Sequence, residues 1–168
     1  MLYELTVPPA IKALRNLSHV LQKGAAFADS KKQPAEVLLG SRLALDQFPL
    51  SRQIQIACDT AKLGVSRLTG VTAPTNDDSE KTLPEFQSRI QSTIQFLESV
   101  KKEQFAGAEK KQITTPRWEG KWLTGEEFVH HHILPNLYFH VTTAYTILRH
   151  NGADVGKKDY LGDMPFKS

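Results

Sequence analysis

The chain is poor in the features that mark the commonest special classes of protein. Its 168 residues contain one cysteine, Cys58, so no intramolecular disulfide can staple the fold, and the usage agrees with a reducing compartment. No apolar run approaches the roughly 20 residues needed to cross a bilayer. The opening Met1-Leu2-Tyr3-Glu4-Leu5 has neither the basic nor the apolar region of a signal peptide. A cytoplasmic protein with no membrane partner is the expectation. Charge of one sign is scarce as well: 21 Lys and Arg against 18 Asp and Glu leave a net +3. The basic residues are dispersed among acids rather than drawn into a stripe, which speaks against nucleic acid as a partner. Also missing are G-x-S-x-G, the P-loop, G-x-G-x-x-G, H-E-x-x-H and closely spaced cysteines. Each is a spacing that a particular chemistry requires.

What is present is ordinary globular material, 40% hydrophobic and 23% charged, and its length fits a single domain over residues 1–168. Apolar residues recur at helical period in four stretches. Thr6, ahead of Pro8 and Pro9, suits the start of helix one, whose face is Ile11, Leu14, Leu17, Leu21, Ala25 and Ala28. Pro49 opens helix two, with Leu50, Ile54, Ala57, Cys58, Ala61, Val65 and Leu68 inward and Gly70 as the stop. This placement makes Cys58 a packing thiol rather than a nucleophile. Ile56 and Leu63 emerge on the opposite face and imply a second contact, with another segment or a partner subunit.

Thr82-Leu83-Pro84-Glu85 has capping-box spacing and starts helix three. Residues 102–123 break the period, and Ile113-Thr114-Thr115, Glu119-Gly120 and Trp122-Leu123 read as a small β-hairpin. A second capping box, Thr124 to Glu127, starts helix four, and Asn151-Gly152 ends it. The result is an all-α four-helix bundle with a small hairpin between helices three and four.

HHHILPNLYFH, at 130–140, is where chemistry would be sought first. Pro135 removes one helical hydrogen bond and frees the carbonyl of His131, so a kink is expected. His132, Asn136 and His140 share one face. Two imidazoles eight residues apart stand about 12 Å apart on a straight helix, too far to chelate one ion without further ligands. Solvent is the expected environment of His130, His131 and His150, whereas His140 flanks the apolar arc, where a polar side chain needs a hydrogen-bond partner.

Three segments carry a wider likeness. LLGSRLALDQFPLSRQIQIACD (38–59), PNLYFHVTTAYTILRHNG (135–152) and GKKDYLG (156–162) resemble a widespread, functionally uncharacterised family within the DinB/YfiT-like superfamily, which is classed with metalloenzymes. The resemblance implies a four-helix bundle of DinB type, often dimeric. In metal-binding members one histidine comes from the second helix and two from an H-x-x-x-H pair on a later one. Aligned on the shared L-R-x-x-G ending, His140 falls on the second histidine of that pair and Asn136 on the first, while Gln53 and Gln55 stand near the helix-two position. The resemblance thus implies a degenerate metal site. Thiol-dependent transferase activity, known in some members, leans on the metal and does not carry over.

Three functional readings follow. The first is a small-molecule binder without a cofactor, in which Gln53, Asn136, Tyr138 and Tyr145 surround His140, itself available as general acid or base. The second is an enzyme dependent on a divalent ion, zinc or nickel, held by His140 with His132. The third is a non-catalytic module that forms a homodimer through Ile56 and Leu63.

Overall fold

The computed structural model of the chain describes residues 2–167. Helix α1 spans Leu2–Ser30, α2 Leu50–Thr69 and α3 Leu83–Ser99. The fourth arm of the bundle is built in three pieces: α4 over Gly125–Phe128, a π-helical turn over Val129–Ile133, and α5 over Leu134–His150. A short α6, Lys157–Leu161, returns across α1. Strands β1 (Gln112–Ile113) and β2 (Leu123–Thr124) pair antiparallel with Ile113 opposite Leu123, which is the hairpin foreseen between helices three and four. The fold is the all-α bundle that the four apolar stripes predict.

Both capping boxes form. Thr82 Oγ1 accepts from Glu85 N at 3.4 Å while Thr82 N donates to Glu85 Oε2 at 2.8 Å. Glu127 N donates to Thr124 Oγ1 at 3.2 Å, and Thr124 N to Glu127 Oε2 at 2.9 Å. Each reciprocal pair satisfies two donors that a helix start otherwise leaves open.

Two helix details differ from expectation. Helix α1 begins a turn earlier than a Thr6 cap would place it, and Pro8 and Pro9 lie inside it. Thr6 is a helical residue whose hydroxyl donates back to Leu2 O at 2.7 Å, a bond to i−4 that competes with capping. At Pro135 the chain answers the missing donor by widening rather than only bending. Leu134 N donates to Val129 O, five residues back, and the π-helical turn ends just before the proline.

The core lies where the four arms meet. Leu14, Leu17 and Leu21 of α1, Ile54, Cys58 and Ala61 of α2, Phe86, Ile90 and Leu97 of α3, and Phe128, Ile133 and Leu137 of the fourth arm are sealed from solvent. Burial pushes the Cys58 thiol up to about 11, so it is a protonated packing group at neutral pH. Ile56, on the outer face of α2, is half-buried, and Leu63 is exposed. No helix among the described residues is long and apolar enough to cross a membrane.

Candidate functional site

Helices α2 and α5 pack face to face, and two polar rungs join them. At one, His140 Nδ1 lies 2.6 Å from Gln53 Oε1. At the other, Asn136 Nδ2 donates to Thr60 Oγ1 at 2.7 Å. Gln53 is 1% exposed, His140 7% and Thr60 8%, so these pairs satisfy groups that burial would otherwise leave costly.

The state of the imidazole follows from its neighbours. Gln53 Nε2 donates to Phe48 O at 2.9 Å, and turning the amide over would set its oxygen against that carbonyl. Gln53 Oε1 therefore faces the ring, and an acceptor beside Nδ1 requires the proton on Nδ1. Nε2 is then the atom with the free lone pair. It has no hydrogen-bond partner among the described residues. Only Gln47 Oε1 and Arg89 Nε there are both sealed and unpartnered, so Nε2 keeps contact with solvent. Burial first, and the positive charge of Arg52 second, hold the His140 pKa down at about 4. At neutral pH His140 is an uncharged imidazole with one open acceptor. The ring of Phe139 stands edge-on to it, centroids 5.1 Å apart, and Phe139 and Phe48 are 55% and 56% exposed.

The remaining candidates lie elsewhere. His132 stacks on Phe128 at 5.1 Å and meets Trp118 edge-on at 5.4 Å. Its pKa is lowered by burial and then by Arg67. His132 and His140 thus have different neighbours. Tyr138 and Tyr145 belong to the far side of α5: Tyr138 lines a groove with α1 and the C-terminal segment, and Tyr145 packs edge-on against Tyr160 at 5.8 Å. Helical geometry accounts for this: Tyr138 and Tyr145, two and five residues from His140, point about 160° and about 140° away from it. His130, His131 and His150 are exposed.

The donor set fits a metal ion poorly. Of Gln53, Asn136 and His140, two carry neutral amides, which are weak ligands for zinc or nickel. Both amides are turned to protein partners, Gln53 to His140 and Phe48, Asn136 to Thr60. Among the described residues no group of three or more His, Cys, Asp or Glu side chains is placed to hold a metal ion.

One cluster is absent from the sequence reading. Arg89 of α3, 3% exposed, donates to Asp78 Oδ1 at 2.7 Å, Glu80 Oε1 at 2.8 Å and Asp59 Oδ1 at 2.8 Å. Arg52 reaches Asp78 Oδ2 at 2.7 Å, Gln55 donates to Glu80 Oε2 at 3.0 Å, and Lys62 pairs with Asp59 at 3.3 Å. Burial alone would lower the Arg89 pKa, but hydrogen bonds to Glu80 and Asp78 and the charge of Asp59 outweigh it and push it up. The network clamps the 70–82 loop against α2 and α3. Gln55 belongs to it, which leaves Gln53 as the α2 residue facing His140. The signal is a lone arginine between Phe86 and Ile90 on a buried helical stripe, with acids in the loop just ahead of that helix.

The family model for a domain of unknown function, DUF1993, matches residues 2–161. A crystal structure of a DinB family member protein from Shewanella denitrificans superposes with a TM-score of 0.96 at 59% sequence identity, covering 100% of this chain and 96% of that one. No curated protein matches the chain.

Proposed function

Because the chain belongs to the DUF1993 family, an uncharacterised DinB-like family, we propose from its own geometry that it binds a small polar molecule at His140 without a metal ion. The observation that carries this is the Gln53 hydrogen bond at 2.6 Å, which fixes the proton on Nδ1 and turns the Nε2 lone pair outward. A neutral imidazole in that tautomer accepts a hydrogen bond from an O–H or N–H donor. The exposed ring of Phe139, edge-on to His140, offers an apolar surface for the body of such a ligand. A pKa of about 4 makes His140 a weak base, so positioning a donor fits it better than removing a proton from one.

The divalent-metal reading draws less support, since His132 is stacked on Phe128 and edge-on to Trp118 and the amides are engaged. The homodimer reading rests on Ile56 and Leu63, of which Ile56 is already half-buried and Leu63 is 37% exposed.

Long-range proton–nitrogen NMR of the histidine rings tests the proposal. His140 should show the Nδ1–H tautomer at pH 7, a panel of small phenols, alcohols and amides should shift its Nε2 resonance in native protein, and calorimetry should find their binding lost in His140→Gln. Stoichiometric Zn2+ bound tightly through His140 and a second side chain would replace this reading with the metal one. An Nε2–H tautomer would remove the acceptor on which it depends.

A further inference from the structure

On the side of α5 turned away from His140, an open groove of about 490 Å³ runs between α1, α5 and the C-terminal segment. Sites for small molecules occupy about 300–1,000 Å³. Its walls are largely apolar: Pro8, Pro9 and Ala13 from α1, Val141 from α5, and Leu161 and Met164 beyond them. The two prolines bring ring carbons to the helix surface at this spot.

The outer wall is anchored. It is the GKKDYLG segment, whose Asp159 accepts from Gly156 N at 2.7 Å and Lys23 Nζ at 3.0 Å and lies 3.0 Å from His19 Nε2. Asn16 Nδ2 donates to Tyr160 O at 2.8 Å, and Thr142 Oγ1 donates to the Tyr160 hydroxyl at 2.9 Å. Gly162 completes the docking with a φ of 60° and so little room that a Cβ would sit 2.4 Å from Asn16 Oδ1. This segment therefore holds the groove open to a defined width.

The charges on the groove are unequal in their partners. Glu4 is paired with Lys102 at 3.1 Å. Lys12, which reaches into the same groove, donates among the described residues only to the Met164 thioether, 3.7 Å from Nζ, and sulfur is a weak acceptor. Among the described residues Lys12 makes no ion pair. Glu4 lines the groove as well, Asp163 lines the adjoining hollow that shares Lys12, and together they disfavour a multiply charged head group.

We propose that this groove binds a singly charged anionic amphiphile, a medium-chain carboxylate, with its head group at Lys12 and its chain along Pro8, Pro9, Val141 and Leu161.

Calorimetric titration of the full chain with octanoate, decanoate and dodecanoate, each below its micelle concentration, tests this. One site per chain is expected, with affinity rising by up to about fourfold per added methylene, the equivalent of about 0.8 kcal/mol. Decyltrimethylammonium, of the same chain length and opposite charge, should bind at least tenfold more weakly than decanoate. Lys12→Gln should weaken decanoate by about tenfold and leave decanol binding as it is. Equal affinity for the cation, indifference to chain length, or an unchanged decanoate affinity in Lys12→Gln would each overturn the proposal. The chain-length and charge series on native protein decides it even if that variant proves unstable.

Discussion

Acidification should destabilise the fold through His140 before any carboxylate contributes. In the unfolded chain the imidazole takes up a proton near 6.5, whereas in the folded chain burial and Arg52 resist protonation until about 4. Between those values the unfolded state holds more protons, so stability is full above about 6.5 and falls as pH drops toward about 4. That gap, at about 1.4 kcal/mol per pH unit, amounts to about 3 kcal/mol when fully developed, and roughly 2.4 kcal/mol of it is lost between pH 7 and 4.5. His140 is 7% exposed, so solvent screening removes little of this. Asp78 and Glu80 are held below their ordinary values by hydrogen bonds from Arg52, Arg89 and Gln55 that outweigh their burial. Their loss therefore comes at lower pH. The assay is urea unfolding of native protein and His140→Gln at pH 7, 6, 5 and 4.5. The stability difference between the two should shift by about 2 kcal/mol in favour of the variant across that range. Parallel curves, or a His140 ring titrating above pH 6 by NMR, would refute the reasoning.

Arg89→Met should destabilise by about 3 kcal/mol, because it leaves Asp59, Asp78 and Glu80 facing one another without their shared cation. Urea midpoints measure the loss, limited proteolysis should cut first within 70–82, and a variant as stable as native protein would show the clamp to be ornamental. Gly125→Ala should cost at least about 2 kcal/mol, since its Cβ would lie 1.8 Å from Ala108 O, a backbone atom that cannot swing aside. A thermal midpoint within a degree of the native value would contradict that close approach.

The bundle was legible because its signals are local. Thr82 with Glu85, and Thr124 with Glu127, satisfy donors within four residues, and each apolar stripe depends only on its own helix. The start of α1 departs from the Thr6 expectation for a related reason. Thr6 has the chemistry of a cap and also that of a hydroxyl bonding to i−4, and the packing of Leu2, fully buried, decides between them by drawing the first turn into the core. The π-helical turn before Pro135 was legible as a disturbance but not in its form. A missing donor can be met by a bend or by a widened turn, and which is cheaper depends on what Ile133 and Val129 must reach inside.

The site was legible on one helix and not across helices. Spacing alone marks His140 as a polar residue at a buried edge that must find a partner. Only the register of α2 against α5 shows that Gln53 is that partner rather than Gln55, which lies two residues on and therefore points into the Arg89 network. The same two-residue rule separates Tyr138 from His140 and could have been applied at the sequence level. A cluster uniting them asks one helix to present opposite faces to one ligand. Applied consistently, it divides α5 into a polar seam facing α2 and a tyrosine-lined face toward α1 and α6, so that ligand binding at His140 and in the Lys12 groove can be lost independently. A His140→Gln protein that still binds decanoate, beside a Lys12→Gln protein whose His140 ring still responds to phenols, is the pattern that this division requires.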